Sequence, residues 1–177
     1  MTPRRARVPR LILLLLPLAG CGYKTKFELP EHIRTFSVNT FRNKTLERNL
    51  DFEFTEALIH EICARTNLRV ARPGEADLEI DGEIESFERH ALRRKRYGER
   101  MEMRNLLSVN VEMFDTRKNV PFFQARRIVE RVEFSLNLGQ TPRDGRDELV
   151  RELARRVAAL AFEHWPHQPP EAKASGG

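Results

Sequence analysis

Cysteine is scarce in this sequence. The 177 residues contain two cysteines, Cys21 and Cys63. Cys21 ends an N-terminal apolar run and has a separate role, argued below, so Cys63 is left without a partner for a disulfide. Packing must therefore stabilise the fold. We predict that Cys63 is a small buried residue of a helix rather than a reactive thiol.

Catalytic and metal-binding patterns are absent from the sequence as well. The five histidines never occur in a zinc-ligand spacing such as His-Glu-x-x-His. The chain has no Gly-x-Ser-x-Gly sequence and no glycine-rich phosphate loop. The acidic residues between 77 and 85 alternate with apolar ones, and a solvated strand face accounts for them. We therefore expect a protein that is not an enzyme and that holds no metal.

The long apolar run of the sequence lies at the N-terminus, behind four arginines. Residues 4–10 contain no acid, residues 11–18 are mostly leucine, and Ala19 and Gly20 are small. This order is typical of a secretory signal peptide. The run is too short to span a bilayer as a helix, which takes about 20 apolar residues. We predict that residues 1–20 are cleaved off and that no later segment spans a membrane.

The end of this run resembles the lipobox of bacterial lipoproteins. The matching residues are Leu18-Ala19-Gly20-Cys21. The resemblance implies cleavage after Gly20 and lipidation of Cys21, and the covalent lipid is then the one non-protein group that we expect. The alternative is an ordinary signal peptide with an incidental cysteine. Gly22 stands where an aspartate would resemble an inner-membrane retention signal, and this favours the outer membrane.

Removing the signal peptide changes the charge balance of the chain. The full sequence has 31 basic and 26 acidic residues, but four arginines and no acid belong to the signal peptide. The mature chain of 157 residues is therefore almost neutral. A nucleic-acid partner is not indicated, because the basic balance belongs mainly to the discarded segment. The length suits one domain.

In the mature chain, apolar residues recur at every second position in some segments and at every fourth position in others. Alternating residues predict strands over 33–41, 76–87, 104–115 and 121–138, with a bulge near Arg126 and Arg127 and a short hairpin link at 116–119. Apolar residues repeating every four positions predict a helix over 46–65. Thr141 followed by Pro142 predicts the start of a second helix, which runs towards Trp165.

One-sided strands and one-sided helices bury their apolar faces against each other. The predicted fold class is therefore an α/β (α+β) two-layer sandwich, in which a mixed four-stranded sheet carries two long amphipathic helices on one face. The predicted organisation is a signal peptide (1–20), a lipidated lead-in (21–31), one domain (32–165) and a disordered tail (166–177).

This layout, together with specific residues, resembles the lipopolysaccharide-assembly lipoprotein family LptE. The matching features are Cys21-Gly22-Tyr23 at the mature start, a first strand that closes on Phe41-Arg42-Asn43-Lys44-Thr45, a long amphipathic helix, the strand Ala76-Asp77-Leu78 through Gly82-Glu83-Ile84, and a last helix ending at Trp165. The resemblance spans residues 18–165. It implies a non-enzymatic outer-membrane lipoprotein on the periplasmic side, which plugs and helps to assemble the LptD β-barrel translocon and contacts lipopolysaccharide.

A basic segment joins the second and third long strands. Its cations are the candidate contacts to lipopolysaccharide or to the barrel, since guanidinium groups bind phosphates bidentately: Arg89, Arg93, Arg94, Lys95, Arg96 and Arg100. The alternative interpretation is a solvated hairpin tip. At the level of the whole protein, the alternative function is a periplasmic pilot or adaptor lipoprotein for another secretion or envelope complex.

Overall fold

The computed structural model of the protein describes residues 29–93 and 102–162. Its elements follow in chain order: β1 (Thr35–Val38), β2 (Arg42–Asn43), α1 (Leu50–Arg65), β3 (Arg69–Val70), β4 (Leu78–Arg93), β5 (Glu102–Asp115), β6 (Val120–Ser135), a short 3-10 helix (Leu136–Leu138) and α2 (Pro142–Phe162). The predicted signal peptide, Cys21 and the predicted tail lie outside the described residues.

The strands form one mixed sheet in the order β3-β1-β4-β5-β6, with β2 beside β4. The pairs among β1, β2, β3 and β4 are parallel, whereas β4, β5 and β6 are antiparallel. The predicted class is confirmed, and the sheet has two more strands than expected. Both extra strands are two residues long, because the predicted first strand breaks at 39–41 and the chain after α1 pairs only briefly with β1.

A single apolar core lies between the sheet and the two helices. The strands supply one row of fully buried side chains, including Leu78, Ile80 and Val109. The helices supply the opposing layer, in which Phe54 and Leu153 are also completely buried. Helix α1 packs against α2, and α2 packs against β5 and β6. Both helices therefore cover the same face of the sheet, as predicted.

The predicted bulge in the last strand is confirmed. Val109 pairs with Ile128 and Val111 pairs with Ala125, so two residues of β6, at positions 126 and 127, lie opposite Asn110. Arg127 has a positive φ of 56°. Its backbone N–H donates to Oδ1 of Asn110 over 2.8 Å, and this side-chain bond satisfies a donor that the ladder leaves unpaired.

Three predicted element ends are wrong. Strand β4 ends at Arg93 rather than at residue 87, so Arg89 belongs to the strand and not to the link after it. Helix α1 begins at Leu50 rather than at Leu46, whose side chain is fully exposed. The reason is a local turn in which Oδ1 of Asn43 accepts hydrogen bonds from the backbone and the hydroxyl of Thr45. Strand β6 ends at Ser135, and Leu138, which was expected to point inwards, is 70% exposed.

The predicted start of α2 is confirmed. The backbone N–H of Thr141 donates to Oδ2 of Asp144 over 2.7 Å, and the N–H of Asp144 donates to the Thr141 hydroxyl over 3.2 Å. These reciprocal bonds satisfy two backbone donors of the first turn. The hydrogen bonds with Thr141 are the main reason that the pKa of Asp144 lies below its ordinary value.

Among the described residues, neither α1 nor α2 has the continuous apolar length needed to cross a bilayer.

Candidate functional site

The predicted basic contacts are only partly described by the structure. Arg89 lies near the end of β4, and the backbone of Arg93 ends that strand. The remaining candidates, Arg94, Lys95, Arg96 and Arg100, lie outside the described residues. Arg89 is therefore the candidate whose side chain the structure describes.

Arg89 is held in place while its charge remains accessible. Its guanidinium carbon lies 5.5 Å from the ring centroid of Phe87, a contact of cation–π type. Nη2 of Arg89 lies 3.8 Å from Oε1 of Glu47. The Phe87 ring packs against the core, so it supports Arg89 from beneath. This position fits a surface cation that can exchange one anionic partner for another.

A groove of about 480 Å³ opens beside Arg89. It is bordered by Asn49, which precedes α1, and by Pro142, the first residue of α2. Helix starts carry partial positive charge from their unpaired N–H groups. We define the basic end of the protein as this groove with the exposed arginines Arg48, Arg89 and Arg143. The acids Glu47, Glu53 and Asp147 also line it.

Arg146 neutralises two of those acids. Its side chain is 16% exposed, and Nη1 lies 3.4 Å from Glu47 while Nη2 lies 2.8 Å from Glu53. Nη2 also donates to the backbone carbonyl of Arg48 over 2.7 Å. Arg146 thus ties α2 to the start of α1. Sequence analysis missed this residue because its partners lie almost 100 positions away.

The sheet face away from the helices is charged and internally paired. Nζ of Lys44 lies 2.6 Å from Glu83 and 3.1 Å from Glu85. Arg42 also contacts Glu83, and the Asn110 amide donates to both carboxylates. The Glu85 carboxyl beside it, then Lys44 and Arg42, hold the pKa of Glu83 well below its usual range. Hydrogen bonds to Glu83 and Glu85 raise the pKa of Lys44.

This paired face fits the predicted solvated side of the sheet. An open groove of about 640 Å³ runs over it, with Thr40, Asp81, Glu112 and Arg126 among its lining residues. Glu83 accepts hydrogen bonds from Lys44, Arg42 and the Asn110 amide, which stabilise its carboxylate as an anion. The face therefore supports polar contacts.

Asp77 was predicted to face solvent, and this prediction is wrong. It is 6% exposed. Its Oδ2 accepts from the backbone N–H groups of Arg34 and Thr35 and from the Thr35 hydroxyl, at 2.9 to 3.0 Å. Its Oδ1 accepts from Nε of Arg117 over 2.5 Å. Burial raises the pKa of Asp77, but these bonds outweigh it and leave the pKa below its ordinary value.

Asp115 forms the companion contact at the same end of the sheet. Its Oδ2 lies 2.6 Å from Nε2 of His32, and its Oδ1 accepts from the backbone N–H groups of Arg117 and Lys118 at 3.0 Å. Burial opposes ionisation, yet the His32 and backbone bonds keep the pKa of Asp115 low. The two aspartates therefore join the segment before β1 to the link between β5 and β6.

The prediction for Cys63 is also wrong, because its side chain is exposed. The buried stripe of α1 consists of Leu50, Phe54, Leu58 and Ile62. A residue one position beyond Ile62 is rotated by about 100° around the helix axis, which turns Cys63 away from the core. Within residues 29–93 and 102–162, no cluster of His, Cys, Asp or Glu is arranged to hold a metal ion.

The sequence between residues 33 and 162 matches one protein family, described as lipopolysaccharide-assembly LptE. This range contains every helix and strand described above. The chain belongs to the LptE family. No curated protein matches the chain at a significant level.

Solved structures with a related fold share little sequence with this LptE-family chain. The hypothetical protein CT253 from Chlamydia trachomatis is 16% identical, with a TM-score of 0.49 and coverage of 74% of this chain and 99% of that chain. A minor lipoprotein from Acinetobacter baumannii is 10% identical, with a TM-score of 0.48 and coverage of 74% and 94%. Likenesses at this level carry no functional assignment.

Proposed function

We propose that this LptE-family chain is a lipoprotein of the outer membrane, anchored on its periplasmic side through lipid on Cys21. In this proposal it plugs and helps to assemble an LptD-type β-barrel and assists delivery of lipopolysaccharide to the cell surface. The observation that carries the proposal is the family match across residues 33–162. The lipobox-like sequence that ends at Cys21 supports the proposed lipid anchor.

The basic end gives this function a chemical basis. Arg48, Arg89 and Arg143 are exposed around a groove at the start of both helices. In the sequence, Arg93 ends Arg89's strand, and four further cations between 94 and 100 follow it. The phosphates of lipopolysaccharide, or acidic side chains inside a barrel, are the anions that guanidinium groups bind well. We propose a purely binding role, with no catalytic step.

Affinity purification of the lipidated protein from outer membranes in mild detergent, with mass spectrometry of the co-purified proteins, tests the partner. We expect a large β-barrel protein in a one-to-one ratio. Recovery of a secretin or another envelope complex in place of the barrel would contradict the proposal and favour the pilot or adaptor function. The mass of the N-terminal peptide, measured on the same sample, tests lipidation of Cys21.

Charge reversal in a deletion strain tests the basic end. We expect the combination Arg89→Glu, Arg93→Glu and Arg96→Glu to reduce outer-membrane integrity, measured as sensitivity to a bulky antibiotic. The matched control reverses three exposed arginines elsewhere, Arg126→Glu, Arg131→Glu and Arg151→Glu. Equal complementation by both triple variants would contradict a role for the basic end.

A further inference from the structure

The end of the sheet opposite the basic end carries the entry of the chain from the predicted lipid anchor. Leu29 packs against the core, and His32 is fixed 2.6 Å from Asp115. Arg69 pairs with Thr35 at the start of β1, and Leu78 pairs with Asp115 at the end of β5. We name this region the hairpin end and define it by Arg34, Arg69 and the link 116–119.

Chain length restricts how far Cys21 can lie from the hairpin end. Eight residue steps separate Cys21 from Leu29, and these span at most about 29 Å. Strand β5 has 14 residues and is about 45 Å long at the usual rise of a strand. Its first residue, Glu102, marks the basic end. A lipid on Cys21 therefore tethers the domain by its hairpin end, and the basic end lies farther from the anchor along the sheet.

The surface of the hairpin end has the chemistry of a membrane–water interface. Arg34, Arg69, Arg117 and Lys118 are exposed. Val70 on β3 is 55% exposed, and Phe114 on β5 is 38% exposed, so this end also presents apolar side chains. Apolar and aromatic side chains next to long basic ones are typical of surfaces that contact lipid headgroups.

The acidic side chains of the same region do not cancel this pattern at the surface. Asp77 and Asp115 are buried and point to hydrogen-bond donors of the protein. Arg117 is paired with Asp77. Among the described residues near this end, the other exposed cations are Arg34, Arg69, Arg72 and Lys118, against the exposed acids Glu31 and Glu75. The outward charge of the hairpin end is therefore positive and complementary to anionic phosphates.

We infer that the hairpin end is a second, electrostatic membrane contact, which docks the folded domain on the anionic lipid headgroups of the leaflet that holds the Cys21 lipid. This inference rests on the proposed lipidation and not on the proposed barrel partner. It assigns a different anionic partner to each end of the sheet. The hairpin end faces the headgroups, and the basic end is directed away from them.

A proximity measurement on the full lipidated protein tests this orientation. The native thiol is removed by Cys63→Ser, and a fluorophore is placed by Val70→Cys or, as the matched reporter at the other end, by Leu138→Cys. Both positions are exposed apolar residues. The proteins are reconstituted in vesicles of phosphatidylethanolamine and phosphatidylglycerol that contain a headgroup nitroxide quencher. We expect strong quenching of the reporter at 70 and little quenching at 138.

Charge reversal separates electrostatic docking from simple tethering. Each basic side chain at an anionic surface changes the ratio of docked to undocked protein by about fivefold. Arg69→Glu with Lys118→Glu should therefore abolish most of the quenching at 70. The matched control, Arg126→Glu with Arg131→Glu on β6, should preserve it. Equal quenching at 70 and 138, or quenching at 70 that survives the first pair, would overturn the inference.

Vesicle flotation distinguishes a protein that lacks the docked orientation from a protein that lacks the lipid anchor. A protein that floats with the vesicles but shows no difference between the reporters keeps its lipid on Cys21 and lacks the docked orientation. A protein that does not float refutes lipidation and, with it, the inference. Neither result bears on the barrel partner, which the affinity purification tests separately.

Discussion

The ring of Phe41 packs directly over the α-carbon of Gly82. A β-carbon at position 82 would lie 2.7 Å from Cζ of Phe41 and 2.5 Å from the backbone oxygen of Asn110. Phe41 is itself buried and packs edge-to-face on Phe54, with ring centroids 4.9 Å apart. Gly82 is therefore the position at which β4 accepts the chain between β1 and β2.

We expect Gly82→Ala to destabilise the protein, because one of the two close neighbours is backbone and has no freedom to move aside. Overpacking of this kind costs about 1–3 kcal/mol. Urea denaturation followed by circular dichroism measures the change. Thr40→Ala, an exposed residue beside Phe41, is the control and should stay within about 0.5 kcal/mol of wild type. A Gly82→Ala protein of unchanged stability would contradict the packing described.

Gly145 in the first turn of α2 has a similar role towards Phe134. A β-carbon at 145 would lie 2.7 Å from Cε1 of that ring. Alanine normally stabilises a helix relative to glycine by about 1 kcal/mol. Here we expect the opposite sign, a loss of stability in Gly145→Ala that Phe134→Leu partly relieves. Thermal unfolding of both single variants and the double variant measures the coupling, and additive effects would refute the contact.

Arg146 and Arg143 form a matched pair on α2. Arg146 is mostly buried against Glu47 and Glu53, whereas the side chain of Arg143 is 88% exposed. We expect Arg146→Met to cost about 1.5–3 kcal/mol, because it removes charged hydrogen bonds between the helices. Arg143→Met should change the unfolding free energy by less than about 0.5 kcal/mol. Equal urea midpoints for the two variants would show that Arg146 does not join the helices.

The lowered pKa values of Asp77 and Asp115 predict how the stability of the protein depends on pH. Their pKa values in the folded protein lie below the ordinary value of 3.8. The unfolded chain therefore binds protons first as the pH falls. The stabilisation is complete above the ordinary pKa and is lost as the pH drops through the folded values.

We expect Asp115→Asn to lose about 1–3 kcal/mol at neutral pH. The variant should also have a flatter stability profile below about pH 4, since one of the two linked carboxylates is gone. Asp77→Asn should behave in the same way. Urea titrations across the acidic range measure both effects, and a profile of Asp115→Asn that runs parallel to wild type would contradict the linkage.

Local patterns predicted the parts of the fold that local interactions determine. The alternation in β4 and β5, the four-residue repeat of α1 and the Thr141 cap are each contained within a few neighbouring residues, and the structure confirms them. The bulge at Arg126 and Arg127 was detectable because the apolar parity changes there.

Contacts between distant residues account for some of the errors, and a competing local turn accounts for another. Asp77 has the spacing of a solvated strand residue, and its burial depends on Arg34 and Arg117, about 40 positions away on either side. Leu46 fits the helical repeat, but a side-chain turn at Asn43 outcompetes the first helical turn. Of the basic end, the sequence indicated Arg89, whereas Arg48, Arg143 and the starts of the two helices beside Arg89 required the tertiary structure.

The bulge in β6 also affects what the outer edge of the sheet presents to other chains. Strand β6 has 16 residues, and β5 is its one neighbour among the strands that the structure describes. A long flat edge of this kind is a template for aggregation. The extra residue at 126–127 bends the strand and increases its twist, and Arg126, Arg127 and Arg131 add exposed charges along it. A strand from a second copy would lose its register there, so the irregularity disfavours edge-to-edge pairing along β6.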